Sequence, residues 1–340
     1  MRDIFARRKS DDESTDQSDE TRTDGGVARA GREKPGVVGR TRRALDRRFG
    51  EDFVESTPFW FPAFLLMALF VYGAILWNLV ISLTDYEGFV LTGPDYSNLD
   101  FEMYVRAFND PNVINAGINT FVLVVGFTLT TLVVGLLLAL LVDRGIRFEN
   151  TFRTIYLLPM SLSFVVTAQF WLWMYNYDNG VVNIVLGTIG LGPIDWLGNQ
   201  SIVLWAVIFA LTWQFSGYAM VVYLAGLRAI PDDNYEAAMV DGASTVKMYW
   251  RVIIPQLKGA TISASVVLMV FALKAFDFLY ALVSGYRPPA GTDILATLMV
   301  REAYQNTNWA YGSTIAIILF VMALLIIGPY LIYQFRRDNL

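Results

Sequence analysis

The chain has 340 residues, of which 55% are hydrophobic and 17% charged, and soluble domains average about 45–50% apolar and about 25% charged residues, so this composition indicates a protein in lipid. The sequence contains no histidine and no cysteine, which excludes zinc sites, cysteine nucleophiles, disulfides and serine proteases that use a histidine base. The formal net charge of −5 argues against a nucleic-acid partner, because phosphate binding draws on basic surface.

Residues 1–57 differ in composition from the rest of the chain. They carry 13 Lys/Arg and 13 Asp/Glu, with few large apolar side chains. Such a segment cannot bury enough apolar surface to offset the entropy lost on ordering, so we expect a disordered cytoplasmic tail. A regulatory or docking role for this tail remains the alternative interpretation.

From residue 58 onward, long apolar runs alternate with polar loops. Six runs are long enough to cross the ~30 Å hydrocarbon core, which takes about 20 helical residues. A spanning segment must satisfy its backbone polar groups within itself, so each run should be helical. The sequence therefore predicts an all-α polytopic membrane domain over residues 58–340 with six transmembrane helices, near 59–83, 116–142, 155–175, 202–227, 261–282 and 313–335.

The charges between the spans predict the orientation of the chain. The loops on the side of the tail, together with the C-terminal end, hold nine Lys/Arg, whereas the loops on the opposite side hold three. The positive-inside rule then places both termini in the cytoplasm of a multi-pass cell-membrane protein.

The longest cytoplasmic loop after the tail, residues 228–258, is typical of two short helices around a glycine. Asp232 or Asp233 is suited to cap the first helix, and Gly242 can adopt the left-handed conformation that ends it. In the same way, Ser244 can cap the second helix and Pro255 can stop it.

Small residues in this loop, namely Ala237, Ala238 and Ala243, leave a low surface that another protein could approach closely. An ordinary amphipathic connector that lies on the membrane is the alternative interpretation.

A longer motif runs through this loop. It consists of Glu236-Ala237-Ala238, then Asp241-Gly242-Ala243, and finally Pro255. The pattern resembles the EAA motif of the permease subunits of binding-protein-dependent ABC importers. The likeness to the carbohydrate-uptake branch, of the maltose and glycerol-phosphate type, extends to residues 82–86, the pair Asn119-Thr120 and residues 152–159.

This resemblance implies the type I ABC importer permease fold and a set of partners. These are a second permease subunit, two copies of an ABC ATPase subunit, and an extracellular solute-binding protein that delivers a sugar. It also implies that Glu236 makes polar contacts in a cleft of the ATPase. The residues expected to couple to the ATPase are Glu236, Ala237, Ala238, Asp241, Gly242 and Pro255.

The sequence lacks the G-x-x-x-x-G-K-[S/T] loop that binds nucleotide phosphates. An ATP-driven transporter of this kind must bind ATP and Mg²⁺ on a partner ATPase. We therefore expect a transport subunit that is not an enzyme and has no cofactor or metal of its own.

Polar residues within the spans indicate the substrate path, because charges at bilayer depth are costly and usually face a cavity or each other. In the fourth span, Trp213, Gln214 and Tyr218 offer aromatic faces and hydrogen-bond partners for a sugar. Helix packing near the membrane interface is the alternative role for these three residues.

In the fifth span, Lys274 and Asp277 are three residues apart, so we expect them on one helix face. They are predicted either to line the sugar path or to form an internal ion pair. By resemblance, Trp213 and Tyr218 match aromatic substrate contacts, while Lys274 and Asp277 replace asparagines. A different class of function, an ion-coupled secondary transporter that uses Lys274 and Asp277, would leave the EAA-like loop unexplained.

Overall fold

A computed structural model of the chain describes residues 53–88, 93–97, 99–143, 148–283, 288 and 291–338. Residues 1–52 of the predicted tail, and the loop bases Arg144, Arg147 and Arg287, lie outside the described residues. The chain forms two units, Met1–Leu66 and Met67–Leu340. Within the described residues the regular structure is helical and contains no strand.

The described α-helices follow one another along the chain. They are α1 (Phe53–Met67), α2 (Gly73–Ile81), α3 (Glu102–Asn109), α4 (Pro111–Val142), α5 (Glu149–Leu157), α6 (Phe164–Met174), α7 (Val181–Thr188), α8 (Val203–Arg228), α9 (Asp232–Val240), α10 (Thr245–Met248), α11 (Ile254–Gln256), α12 (Lys258–Leu273), α13 (Phe276–Val283), α14 (Leu295–Val300) and α15 (Trp309–Asp338).

Six spans can be counted in the described part of the chain. Four are unbroken and apolar enough to cross a membrane, namely Ser56–Ile81, Pro111–Val142, Val203–Arg228 and Trp309–Tyr330. Two more are bent pairs, Glu149–Ser161 with Phe164–Met174 and Thr245–Gln256 with Lys258–Leu273. Counting each bent pair as one span gives six, the number that the apolar runs predict, although in the second pair only Lys258–Leu273 overlaps the span predicted over residues 261–282.

The helix α8 is the centre of the core. In its most apolar window 72% of the residues are buried within the chain, against 39% for α4. The two helices pack closely because Gly135 on α4 has no side chain: an added Cβ would lie 2.4 Å from the Cβ of Ala219 on α8. This glycine therefore sets the distance between the two helices.

The third span breaks between α5 and α6, where the chain turns by 100° after a 3-10 turn at Leu158–Ser161. Ser163 caps α6, its Oγ accepting a hydrogen bond from the Val166 N–H at 3.3 Å. The Leu162 carbonyl accepts a hydrogen bond from Gln214 Nε2 of α8 at 2.9 Å. The expectation that every span satisfies its backbone groups within itself is therefore wrong here, since a side chain from another span supplies the partner.

The fifth span differs from the single helix predicted over residues 261–282. Within these residues α12 ends at Leu273 and α13 begins at Phe276, and a bend of 64° between α11 and α12 precedes them. Near the end of α13, the Ala281 carbonyl accepts a hydrogen bond from Gln169 Nε2 of α6 at 2.7 Å. The span is thus two helices tied to the broken third span.

The Asn119-Thr120 pair near the start of the second span holds the loop between the fifth and sixth spans. Asn119 Nδ2 donates to the carbonyl of Asp293 at 2.9 Å, and Thr120 Oγ1 accepts from the N–H of Leu295 at 2.9 Å. The Arg301 guanidinium pairs with the Asp293 carboxylate at 2.5 Å. This partly buried network satisfies the backbone at the start of α14.

The close packing at Gly135 generates the first prediction. The substitution Gly135→Ala should destabilise the protein by about 1–3 kcal/mol, because an overpacked contact forces the backbones apart. Thermal unfolding of the detergent-solubilised protein, followed by circular dichroism, measures the effect. The matched control is Gly117→Ala on the same helix, where an added Cβ meets nothing within 4 Å. Equal melting temperatures for the two variants would contradict the packing role of Gly135.

Candidate functional site

The loop between the fourth and fifth spans forms a folded segment, which we call the coupling segment and define as residues 229–257. Its first helix, α9, ends as predicted at Gly242, whose φ is +71°. The N–H of Ala243 donates to the carbonyl of Ala238 at 3.0 Å, and the N–H of Gly242 donates to that of Met239 at 3.0 Å. These two bonds form a Schellman motif, which satisfies carbonyls at the helix end.

The caps predicted for this segment need correction. Asp232 and Asp233 lie in the first turn of α9, where their charge favours the helix dipole, and the N-cap position is Pro231, which has no side-chain cap. Ser244 occupies the N-cap of α10, but its side chain makes no capping hydrogen bond. The predicted positions of the helices are right, and the predicted capping bonds are wrong.

The predicted stop at Pro255 is confirmed to within one residue. The chain remains helical through a π turn at Tyr249–Ile253 and through α11, which contains Pro255 and ends at Gln256. The direction changes two residues after Pro255, at Leu257, so the coupling segment continues directly into the fifth span.

The side chains of the coupling segment divide into an exposed and a buried set. Glu236, Ala237 and Asp241 are exposed, as expected for residues that meet a partner. Ala238, in contrast, is only 6% exposed and packs within this chain. Large apolar side chains are exposed beside the glutamate, namely Met239, Val240, Val246 and Trp250. An exposed apolar patch with polar residues at its edge is typical of a protein-binding surface.

Buried contacts hold the coupling segment against the membrane domain. Met248, Ile253 and Leu257 are buried in the main core. The rings of Tyr235 and Tyr249 pack edge to face at 6.4 Å. These buried residues, which we call the base of the segment, therefore hold the exposed patch in place against the membrane domain.

Charged groups next to the coupling segment join the fourth span to the third span. The Arg228 guanidinium, at the end of α8, forms an ion pair with the Glu149 carboxylate at the start of α5. Arg153 lies 3.9 Å from the same carboxylate. Burial, and to a smaller extent the charge of Glu149, raise the pKa of Asp143, whereas Arg228 acts in the opposite direction. Burial and the charge of Asp143 raise the pKa of Tyr235 to about 12, so this tyrosine stays neutral.

The predicted path residues of the fourth span have different surroundings. Trp213 is partly buried and stacks on Phe170 of α6 with 5.5 Å between ring centroids. Gln214 is 2% exposed; its Nε2 is bonded to the broken third span, and its Oε1 has no hydrogen-bond partner within the described part of the chain. Tyr218 is half-buried. Gln214 thus donates a hydrogen bond to the backbone of the third span, while the side chains of Trp213 and Tyr218 are partly exposed.

The predicted path residues of the fifth span do not share one helix face. Lys274 is the residue at which α12 ends, and Asp277 belongs to the first turn of α13. Both side chains are exposed, and among the described residues they form no ion pair. The break places them on two helices, which is why the face predicted from their spacing is wrong.

A cavity beside the break of the third span was not predicted from the sequence. Its volume is about 450 Å³, and Trp213 and Ser216 of α8 line it together with residues on both sides of Pro159. Pro159 and the cap Ser163 are the sequence signals that could have indicated the break. The cavity is the size of a small organic ligand site.

Five phenylalanines fill the space between α8 and the fifth span. Phe215 of α8 lies 4.6 Å from Phe271 of α12, and Phe164 of α6 lies 6.5 Å from Phe278 of α13, measured between ring centroids. Phe127 of α4 completes the cluster. The two predicted sets of path residues are therefore on adjacent helices, and within the described residues no contact between the two sets is seen.

The chain matches a family model over residues 131–338. That model describes the binding-protein-dependent transport system inner membrane component. The matched region contains the coupling segment and all of the predicted path residues.

Two similar proteins are sugar permeases by name. The xylose/arabinose import permease protein of Haloferax volcanii is 62% identical over 289 residues, which are 85% of this chain and 90% of that protein. The trehalose/maltose transport system permease protein of Thermococcus litoralis is 34% identical over 207 residues, which are 61% of this chain and 70% of that protein.

A solved structure has the same fold. It is the crystal structure of a bacterial alginate ABC transporter in complex with an alginate pentasaccharide-bound periplasmic protein. One of its chains aligns with a TM-score of 0.71 and 23% identity, over 86% of this chain and 96% of that chain. The likeness confirms the predicted all-α permease fold.

The left-handed glycine of the coupling segment generates the second prediction. The substitution Gly242→Ala should open the end of α9, because a residue with a Cβ pays about 1–2 kcal/mol in the left-handed conformation. Trypsin should then cleave faster after the exposed Lys247, as followed by mass spectrometry of the peptides. Gly259→Ala is the control, because its added Cβ meets nothing within 4 Å and its φ is not positive. Unchanged cleavage at Lys247 would contradict the prediction.

Proposed function

This chain belongs to the family of binding-protein-dependent transport system inner membrane components, and from that premise we propose that it is the pore-forming permease subunit of an ATP-driven sugar importer. The observation that carries the proposal is the 62% identity to a xylose/arabinose import permease over 85% of the chain. Pentoses or small oligosaccharides are the cargo that this similarity favours. The family match leaves the ion-coupled alternative without support.

In this proposal, the coupling segment transmits the free energy of ATP hydrolysis to the membrane domain. Two ABC ATPase subunits bind ATP and Mg²⁺, and one of them receives the exposed patch of the coupling segment in a surface cleft. Glu236 supplies the polar contact, and Val240 and Trp250 supply exposed apolar surface, 87% and 73% accessible. The buried base of the segment supports this role, because a displacement of the patch is transmitted to α8 and α12 rather than absorbed by a flexible loop.

The remaining partners follow from the same proposal. A second permease subunit pairs with this chain, and an extracellular binding protein delivers the sugar on the side opposite the coupling segment. The excess of Lys/Arg on the side of the coupling segment supports a cytoplasmic location for that segment and for both termini.

The sugar path runs along the faces that carry Trp213, Tyr218, Lys274 and Asp277. The aromatic rings offer surfaces for sugar C–H groups, and the two charged groups are strong hydrogen-bond partners for hydroxyls. Lys274 and Asp277 are exposed in this chain, and Trp213 and Tyr218 are partly exposed, which supports this assignment. Gln214 acts indirectly, because it fixes the break beside the cavity that Trp213 lines.

The third prediction tests coupling. The substitution Glu236→Lys should abolish sugar uptake and uncouple ATP hydrolysis from sugar binding, because it reverses the charge at the docking surface. Uptake and ATPase activity are measured after reconstitution of the complex with its binding protein. Asp178→Lys is the matched control: an exposed acidic residue outside the coupling segment receives the same change.

Membrane insertion and co-purification of the ATPase with the wild-type chain complete the coupling experiment. Normal uptake by the Glu236→Lys protein at equal expression would remove Glu236 from the coupling surface. Failure of any ABC ATPase to co-purify with the wild-type chain would contradict the proposed function as a whole.

The fourth prediction tests the path. If Lys274 and Asp277 line it, the double variant Lys274→Met with Asp277→Leu should transport no better than either single variant, because each charge contacts the sugar and the second substitution restores nothing. Uptake is measured for the three variants, with complex assembly and basal ATPase activity as controls. A double variant that recovers transport would show that the two charges only compensate each other.

A further inference from the structure

The helix α3 has three distinct faces. Ala107 is fully buried, with Met103 packed into the same small core, whereas Phe101, Val105 and Phe108 are 69%, 62% and 66% exposed. These three apolar residues are spaced by four and three positions, which places them on one side of the helix.

The third face of α3 is polar. Glu102 and Asn109 lie on it, and both side chains are exposed. A helix of this kind has one face for protein, one for an apolar medium and one for water. All three media meet where a membrane protein emerges from the bilayer surface.

Polar contacts fasten α3 to the ends of two spans. The hydroxyls of Tyr104 and Ser82 lie 2.6 Å apart, which joins α3 to the residue that follows α2. The Arg106 guanidinium lies over the ring of Tyr311 in α15 at 4.4 Å. Tyr311 in turn donates its hydroxyl proton to the carboxylate of Asp110, directly before α4, at 2.8 Å. The position of α3 relative to these spans is therefore fixed.

The exposed apolar face of α3 is followed in the chain by a second exposed apolar stripe. On α4, which begins two residues after α3, Ile114, Ile118 and Phe121 repeat the spacing of four and three and are about half exposed. On both helices this stripe lies about a third of a turn from residues of the same buried core, Ala107 on α3 and Val113 on α4. Since α4 is long and apolar enough to span the membrane, lipid is the medium expected against this exposed stripe.

We propose that α3 is an interfacial helix that inserts Phe101, Val105 and Phe108 into the bilayer leaflet opposite the coupling segment. The occupant of this apolar face is lipid, and neither the sister permease nor the binding protein covers it. Through the Tyr104 and Tyr311 contacts, α3 then holds the ends of the first, second and sixth spans at one depth. This inference requires only that the chain spans a membrane, so it stands apart from the identity of the cargo.

Site-directed spin labelling tests the proposal directly, because the chain contains no cysteine. A nitroxide is attached to Val105→Cys in the assembled complex, reconstituted in vesicles of phosphatidylcholine and phosphatidylglycerol. Its collision rates with oxygen, which concentrates in lipid, and with a water-soluble nickel chelate are compared. Glu102→Cys, on the polar face of the same helix, is the matched control.

At Val105 the ratio of oxygen to nickel accessibility should exceed one, and at Glu102 it should be below one. A nitroxide at Val105 that is immobile and shielded from both reagents would show that a protein covers this face. Dominant nickel accessibility there would show that the face lies in water, and either result overturns the proposal. Phe108→Cys provides the same comparison if the Val105 variant does not assemble.

Discussion

The fold depends on one constraint: inside a bilayer, every backbone carbonyl and N–H that leaves the helical pattern needs a partner from the protein. Two of the six spans are broken, and in both a glutamine side chain supplies a partner. Gln214 of α8 bonds the Leu162 carbonyl in the third span, and Gln169 of α6 bonds the Ala281 carbonyl in the fifth. The hydrogen bonds run from the fourth span to the third and from the third to the fifth. The broken spans are thus connected to each other and to the central helix α8.

In the proposed function, this arrangement connects the docking surface of the coupling segment to residues of the membrane spans. The coupling segment begins where α8 ends at Arg228, and the ion pair of Arg228 with Glu149 ties that point to the start of the third span. The segment ends at the bend that leads into α12. A displacement of the exposed patch therefore reaches the third, fourth and fifth spans together, and these are the spans that carry the cavity and the predicted path residues.

The apolar runs predicted the number and the approximate limits of the spans, because their length follows from the thickness of the bilayer. The end of α9 at Gly242 was predictable for a similarly local reason, since glycine adopts the left-handed conformation at little cost. The breaks were not predictable from hydropathy, which is the same for a straight and for a broken apolar helix. The prediction that Lys274 and Asp277 share one helix face, which was made from their spacing, was wrong for that reason. Pro255 marked the end of a helix for a local reason, since proline disfavours a helix interior, and the helical stretch ends at Gln256. Whether the predicted residues contact a sugar depends on surfaces that meet only in the assembled transporter.

The exposure of Lys274 and Asp277 fits the proposal that this chain works together with a second permease subunit. A charged side chain in a membrane span costs at least about 2.5–3.5 kcal/mol unless it meets water or a charge partner. Both residues are exposed beside the break of the fifth span, and the described part of the chain offers neither of them an ion pair. Because both side chains are exposed, the water or charge partner that they require is expected outside this chain, and in the proposed function that place is the surface shared with a second subunit. A water-filled path between two permease subunits meets that requirement, whereas exposure of both charges to lipid does not.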